Sequence, residues 1–157
     1  MMRRSSTFAL VAVSLSMASC IENTLLHSYK AVPTDGWRRD DTICFFVPQR
    51  EEELSSTLTI GLRTKTDIGM RDVVLAVEQY DSTATICHRD TVRYPLTDGE
   101  GDALVGGVNT HQYEAQQLTL HTACSRKGSV RIYHLMTRDI LHGITEVGIK
   151  IEKNDEM

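Results

Sequence analysis

The residues best placed to do chemistry in this chain are cysteines and histidines, and the first cysteine has the clearest task. Cys20 follows Met17-Ala18-Ser19, a tetrad with an apolar residue three before the cysteine and small residues between. Upstream stand Arg3 and Arg4, then an apolar run from Phe8 to Met17. Positive, apolar, then small is the order of a secretory signal, here residues 1–19. It is too short to span a bilayer, which takes roughly 20 apolar residues. A cleavage site that abuts a cysteine is a bacterial lipobox, with Met17 in the place leucine usually takes. The chemistry is thioether acylation of Cys20, a diacylglycerol plus an amide-linked acyl chain. Each buried CH2 contributes about 0.8 kcal/mol, and more than one chain makes a stable anchor. A covalent lipid on Cys20 is the only prosthetic group expected. No later run of about 18 residues is apolar, so the expected contact with the membrane is a tether rather than a span.

The other candidates are weaker. Cys44, Cys87 and Cys124 remain, an odd number, so at most one disulfide forms among three possible pairings. The alternative is that all three are small buried hydrophobes. Cys87-His88 and His121-x-x-Cys124 have zinc-binding types. Structural zinc favours Cys-x2–4-Cys knuckles, however, and neighbours in a strand point to opposite faces, so no metal is expected. The loop "DGEGDALVGGVN" (98–109) places Asp98, Glu100 and Asp102 at calcium-loop spacing. It has Ala103 where that loop needs glycine and Asn109 where it needs glutamate, so it reads as a flexible turn. Asp40-Asp41 and Glu51-Glu52-Glu53 read as solvated loop charge. No Gly-x-Ser-x-Gly occurs. The chain therefore reads as a non-enzyme, with no catalytic residues. His134 alternates with apolar residues and is expected as a hydrogen-bonded core histidine. Trp37, followed by Arg38 and Arg39, is the candidate interaction site. The indole either packs over one end of the fold or anchors a partner, since Trp and Arg are enriched at interface hot spots.

Bulk properties narrow the partners. The 157 residues carry a net charge of −4, and loss of Arg3 and Arg4 with the signal makes the mature chain about −6. That balance argues against nucleic acid and against electrostatic adhesion to anionic lipid. Forty-one per cent hydrophobic residues are enough for a core and too few for a membrane domain.

Strand-like runs must position these groups. "TICFFV" (42–47), "TLTIGLR" (57–63), "DVVLAVEQY" (72–80), "TATICHRDTVRYPL" (83–96), "QQLTLHTA" (116–123), "SVRIYHLM" (129–136) and "EVGIKIE" (146–152) are separated by turns. Several alternate apolar and polar residues, the pattern of antiparallel sheets with one wet face. The expected fold is all-β, an antiparallel β-sandwich, jelly-roll or Ig-like, of about 7–8 strands. "RDILHGI" (138–144) is expected as a single helical turn closed by Gly143. The domains read as signal peptide 1–19, lipidated N-terminus and tether 20–36, β-sandwich 37–153 and polar tail 154–157.

Four stretches together resemble the gliding motility lipoprotein GldH family of Bacteroidota. Tyr29 is followed by Trp37, Asp40-Asp41 and a Phe-containing strand. "LTIGLR" ends in Arg63. "RYPLTDGEGDALVGG" leads from a strand into a glycine-rich loop. "YHLMTRDILHGITEVGIKIEK" closes the chain. The resemblance spans about residues 20–153. It departs in the glycine-rich loop, where Asp102 to Gly107 lack the family's tryptophan, and in "TKTDIGMRD", which lacks its Tyr and Asn. This identifies the chain as a divergent member. The resemblance implies a non-enzymatic component of an envelope protein complex, tied to gliding or type IX secretion. Ile21-Glu22-Asn23-Thr24 offers one acid where surface-exported lipoproteins carry an acidic patch, so the outer membrane's periplasmic side is expected. The alternative is a ligand- or glycan-binding outer-membrane lipoprotein on the same sandwich.

Overall fold

The computed structural model describes residues 23–49, 55–115, 117–121, 124 and 127–154. The signal, Cys20, the Glu51–Glu53 run and the last three residues lie outside them. Among the described residues the regular structure is all strand: β1 (Thr24–Ala31), β2 (Trp37–Arg38), β3 (Ile43–Val47), β4 (Ser56–Lys65), β5 (Asp72–Asp81), β6 (Ile86–Pro95), β7 (Thr110–Glu114), β8 (Leu118–Leu120), β9 (Gly128–His134), β10 (Ile140–Leu141) and β11 (Ile144–Lys153). The first sheet runs β1-β11-β4-β7, with β8 beside β7 on the same edge of β4. The second runs β3-β9-β5-β6, and β10-β2 is a short ribbon. Every pairing is antiparallel, giving the expected β-sandwich.

Period-two alternation builds the core. Leu58, Ile60 and Leu62 of β4 and Val147, Ile149 and Ile151 of β11 meet Val73, Leu75 and Val77 of β5 and Val130 and Ile132 of β9. All are buried. Fully burying each such side chain contributes about 1.5–3 kcal/mol. Two polar side chains cross between the layers with their hydrogen bonds satisfied. Tyr94 Oη donates to the Ile60 carbonyl at 2.7 Å. The buried Gln79 amide donates to the Thr119 carbonyl at 3.0 Å and accepts from the His121 amide at 2.8 Å. Burial pushes the Tyr94 phenol far above the ordinary tyrosine range.

Three segments differ from expectation. Residues 24–31, placed in the tether, form β1 and pair with β11 from Thr24 opposite Glu152 to Ala31 opposite Glu146. The strand was hidden because it is a half-exposed edge with a bulge near its start, so its burial does not alternate. β7, "THQYE", is short, and only His111 and Tyr113 turn inward. "RDILHGI" makes no helical turn. Ile140 and Leu141 pair with Arg38 and Trp37, and Gly143, at φ +92°, turns the chain into β11. One helical turn makes too few internal bonds to pay for its nucleation, whereas the ribbon buries Leu141 completely.

Candidate functional site

Trp37 takes the packing role. Its ring is fully buried, its Nε1 donates to the Asp41 carbonyl at 2.9 Å, and it meets His134 edge-on at 5.6 Å. It presents nothing to a partner. Arg38 is exposed, 3.8 Å from Asp40. Arg39 clamps the β9–β10 connection, donating to the carbonyls of Met136, at 2.9 Å, and Thr137, and lying 3.4 Å from Asp139. Trp37 and Arg39 thus tie the ribbon to the sandwich end, whereas Arg38 pairs only within its own turn. His134 is buried as expected but not hydrogen-bonded, since neither ring nitrogen has a partner among the described residues. Burial holds its pKa below the ordinary histidine value. The nearby Trp37 backbone pulls the other way and is outweighed.

The cysteines are not all buried free thiols. Cys87 and Cys124 form a disulfide, and half-buried Cys44 stays free. Adjacency was expected to send Cys87 and His88 to opposite faces. A β-bulge changes that, because Tyr80 pairs with Ile86 and Gln79 with His88, which leaves Cys87 as the extra residue. His88 and His121 then stack at 5.9 Å beside the disulfide. Among the described residues no three His, Cys, Asp or Glu side chains form a metal-holding group. The Asp98 carboxylate is turned onto its own loop, accepting from the amides of Glu100 (2.9 Å), Gly101 (2.8 Å) and Asp102 (2.9 Å). Those amides hold its pKa below the ordinary carboxylate value. The loop is a built turn, closed further by the Thr97–Ala103 bridge.

The best-organised polar cluster lies on the outer face of the second sheet, away from the core. The register sets Glu78 of β5 between Arg131 of β9 and Arg89 of β6. Tyr80 donates to one Glu78 oxygen at 2.7 Å, and Tyr133 to the other at 2.8 Å. Arg89 pairs with that second oxygen at 2.6 Å. The Arg131 guanidinium stacks 4.0 Å over the Tyr80 ring. Although it points outward, Glu78 is only 6% exposed because these side chains cover it. Burial alone would raise its pKa. The two hydroxyls and the arginine prevail and hold it below the ordinary carboxylate value. Phe46, 75% exposed on neighbouring β3, lies on the same outer face opposite Ser129. Sequence reasoning passed over this cluster. The signal was Glu78-x-Tyr80 and Arg131-x-Tyr133, two polar-aromatic pairs at strand spacing that share a face.

A second aromatic sits on the first sheet. The Tyr29 ring of β1 lies across Gly148 of β11 and Gly61 of β4, so close that a Cβ on either would collide with it. Arg63 covers the ring at 3.9 Å and pairs with Glu146 at 2.6 Å. Both outer faces thus carry polar-aromatic clusters held by their own ion pairs, hydrogen bonds and ring contacts.

Residues 24–151 match the family model of the GldH lipoprotein. The chain is also similar to the gliding motility lipoprotein GldH of Flavobacterium johnsoniae, at 21% identity over 163 residues. That match covers 98% of this chain and 100% of the relative. Tyr29 and Arg63, which carried the resemblance in sequence, meet in space, and the matched region takes in every strand except the last two residues of β11; the chain belongs to the GldH lipoprotein family.

Proposed function

We propose that this protein is a lipid-anchored, non-enzymatic interaction component of a gliding or type IX secretion complex. It is held through Cys20 on the periplasmic side of the outer membrane. The outer face of the second sheet is the docking surface. The observation that carries this is the Glu78 cluster. Two tyrosines and two arginines are locked in place around one carboxylate, with an exposed phenylalanine beside them. Tyr and Arg fixed before binding lose little entropy on contact, the property of hot-spot residues. Family membership supplies the biological setting.

The test is affinity isolation of the tagged lipoprotein from solubilised envelope, with mass spectrometry, beside two variants. Wild type is expected to recover gliding or secretion components. Cys20→Ala should lose them through loss of tethering. Phe46→Ala/Arg131→Ala should lose them while remaining in the membrane fraction. Recovery of no such component by a membrane-resident wild type refutes the proposal. Full recovery by the double variant refutes the docking face.

A further inference from the structure

β6 is an outer strand of the second sheet, with β5 on one side and no described strand on the other. We propose that its free edge takes up an extended segment of a partner protein as an added antiparallel strand, one that sets acidic residues opposite Arg93 and Arg89. This goes beyond the docking face of the proposed function. It uses the rim of the sheet, and only Arg89 belongs to both.

The register shows which backbone groups are free. The Leu96 amide donates to the Arg71 carbonyl at 2.8 Å, so these two residues form a hydrogen-bonded pair at the end of the β5–β6 ladder. In an antiparallel ladder such pairs recur at every second residue, and the residues between them turn their amides and carbonyls the other way. Tyr94, Val92, Asp90 and His88 therefore face β5, and Arg93, Thr91 and Arg89 face outward. β9 gives the same answer. The Leu135 amide donates to the Val74 carbonyl at 2.8 Å, which turns Val74 toward β9 and away from Arg93, its register partner. The register runs without a shift from Asp72 to Gln79. Among the described residues, the three outward amides and three outward carbonyls have no hydrogen-bond partner. Such a row is a ready template for another strand.

The side chains select the segment. Residues two apart in a strand share a face, so Arg89, Thr91 and Arg93 all stand on the outer face, and all three are exposed. Arg89 pairs with Glu78 and Arg93 with Asp72, yet their side chains remain 59% and 72% exposed. A guanidinium has five N–H donors, more than one carboxylate takes up, so each arginine can accept a second acid. Cross-strand neighbours directly opposite one another are close enough to interact. Running antiparallel, an added segment would set its first residue opposite Arg93, its third opposite Thr91 and its fifth opposite Arg89. Acids suit the first and fifth places, and threonine suits the third. The other face of β6 sets the rest. Buried Val92 favours an apolar residue in second place, and the Asp90 carboxylate, beside His88, disfavours an acid in fourth.

A second copy of this chain is the natural competitor for the edge, and the same arginines reject it. The antiparallel register that uses every outward group centres on Thr91. It sets Arg89 of each copy opposite Arg93 of the other, and like charges directly opposite are destabilising. Charged side chains along the strand and Pro95 at its end are means by which edges resist such pairing. An acidic segment meets the reverse situation, since each of its acids faces an exposed arginine.

Full-length protein in detergent would be titrated into fluorescein-labelled peptides and followed by fluorescence anisotropy. The probe has glutamate-valine-threonine-threonine-glutamate at its centre and serine-glycine flanks, and the control has lysine for both glutamates. This titration needs neither tether nor envelope, so it stands or falls separately from the docking face. The glutamate probe is expected to bind at least about tenfold more tightly than the lysine control, by a margin that shrinks as salt rises. N-methylation of the third central residue, whose amide would face β6, is expected to abolish binding. N-methylation of the fourth, whose amide would face solvent, is expected to leave it. Thr91→Pro removes an outward amide and spares the β5–β6 ladder, so it should weaken binding at least about tenfold with Tm near wild type. No binding up to about 0.5 mM protein, equal binding of the lysine control, or equal effects of the two N-methylations would overturn the proposal. Unchanged affinity in a folded Thr91→Pro would do the same, as would a dimer in sedimentation that Thr91→Pro abolishes, because the edge would then belong to a second copy.

Discussion

Gly148→Ala probes how β1 is held to the sheet. An added Cβ would lie 2.6 Å from Cδ1 and Cε1 of Tyr29 and 2.7 Å from its Cγ. Carbon atoms in comfortable contact sit about 3.5–4.0 Å apart, so the ring must withdraw by about 1 Å. Because Cγ is among the clashing atoms, the tip cannot swing aside and the whole ring must move. That loses the Arg63 stack, about 0.5–1 kcal/mol, and adds overpacking strain of about 1–3 kcal/mol. Against this, alanine replaces glycine in a strand at a position outside the positive-φ set, a gain of about 0.5–1 kcal/mol. The net expectation is a loss of about 2 kcal/mol, or a Tm lower by about 7 °C for a domain of this size. The assay is a double-mutant cycle by urea unfolding. Tyr29→Ala alone should also destabilise, but in that background Gly148→Ala should become stabilising by about 0.5 kcal/mol. At Gly61 the clash is with Oη, Cζ and Cε1, the far end of the ring, so Gly61→Ala should cost less. A neutral Gly148→Ala, or additive single and double variants, would refute the reasoning.

Two further perturbations test the ends of the sandwich. Replacing Cys87 and Cys124 with alanine opens a loop of sequence separation 37, and loop-closure entropy puts the loss at about 4 kcal/mol; calorimetry should show Tm falling by roughly 12–16 °C, with Cys44→Ala near wild type. His134 has a folded-state pKa below its unfolded value, so its contribution is complete above about pH 6.5 and is lost as pH falls below it; urea midpoints across pH 7.5 to 5 should drop in wild type and flatten in His134→Leu.

Which strands were legible in sequence follows from where they sit. β4, β9 and β11 have apolar side chains on the core face and mostly polar residues or glycine on the other, so Leu58-Ile60-Leu62 and Val147-Ile149-Ile151 appear as clean alternation. β1 and β7 lie at sheet edges, where few of their side chains turn into the core, so their apolar residues are too sparse to form a pattern. Tyr29 makes the point: its partners Gly61, Gly148 and Arg63 come from two other strands, and a lone tyrosine near the N-terminus announces none of them. The same holds for function. Trp37 drew attention by type and charge, yet its neighbours bury it completely. Glu78 looked like an ordinary strand glutamate. It became a site only when register set arginines on either side and placed two tyrosine hydroxyls on its oxygens. A wet sheet face carries no hydrophobic pattern, so a cluster assembled across three strands leaves little trace in any one of them.

The position of β1 also changes what an anchor at Cys20 would do. A long tether would let the sandwich present any surface to the membrane. With β1 beginning at Thr24, only four steps of chain separate the anchor from the sheet, a reach of at most about 14 Å. β1 then rises through seven further steps, about 23 Å, to Ala31. An anchor at Cys20 would thereby keep the pole carrying the start of β1, the start of β4 and the end of β11 beside the lipid. The other pole, with a cavity and the glycine-rich loop, would be kept away from it. The two outer faces rise between them, with the Glu78 cluster on one and the Tyr29–Arg63–Glu146 group on the other. A partner on the Glu78 face would then approach alongside the membrane.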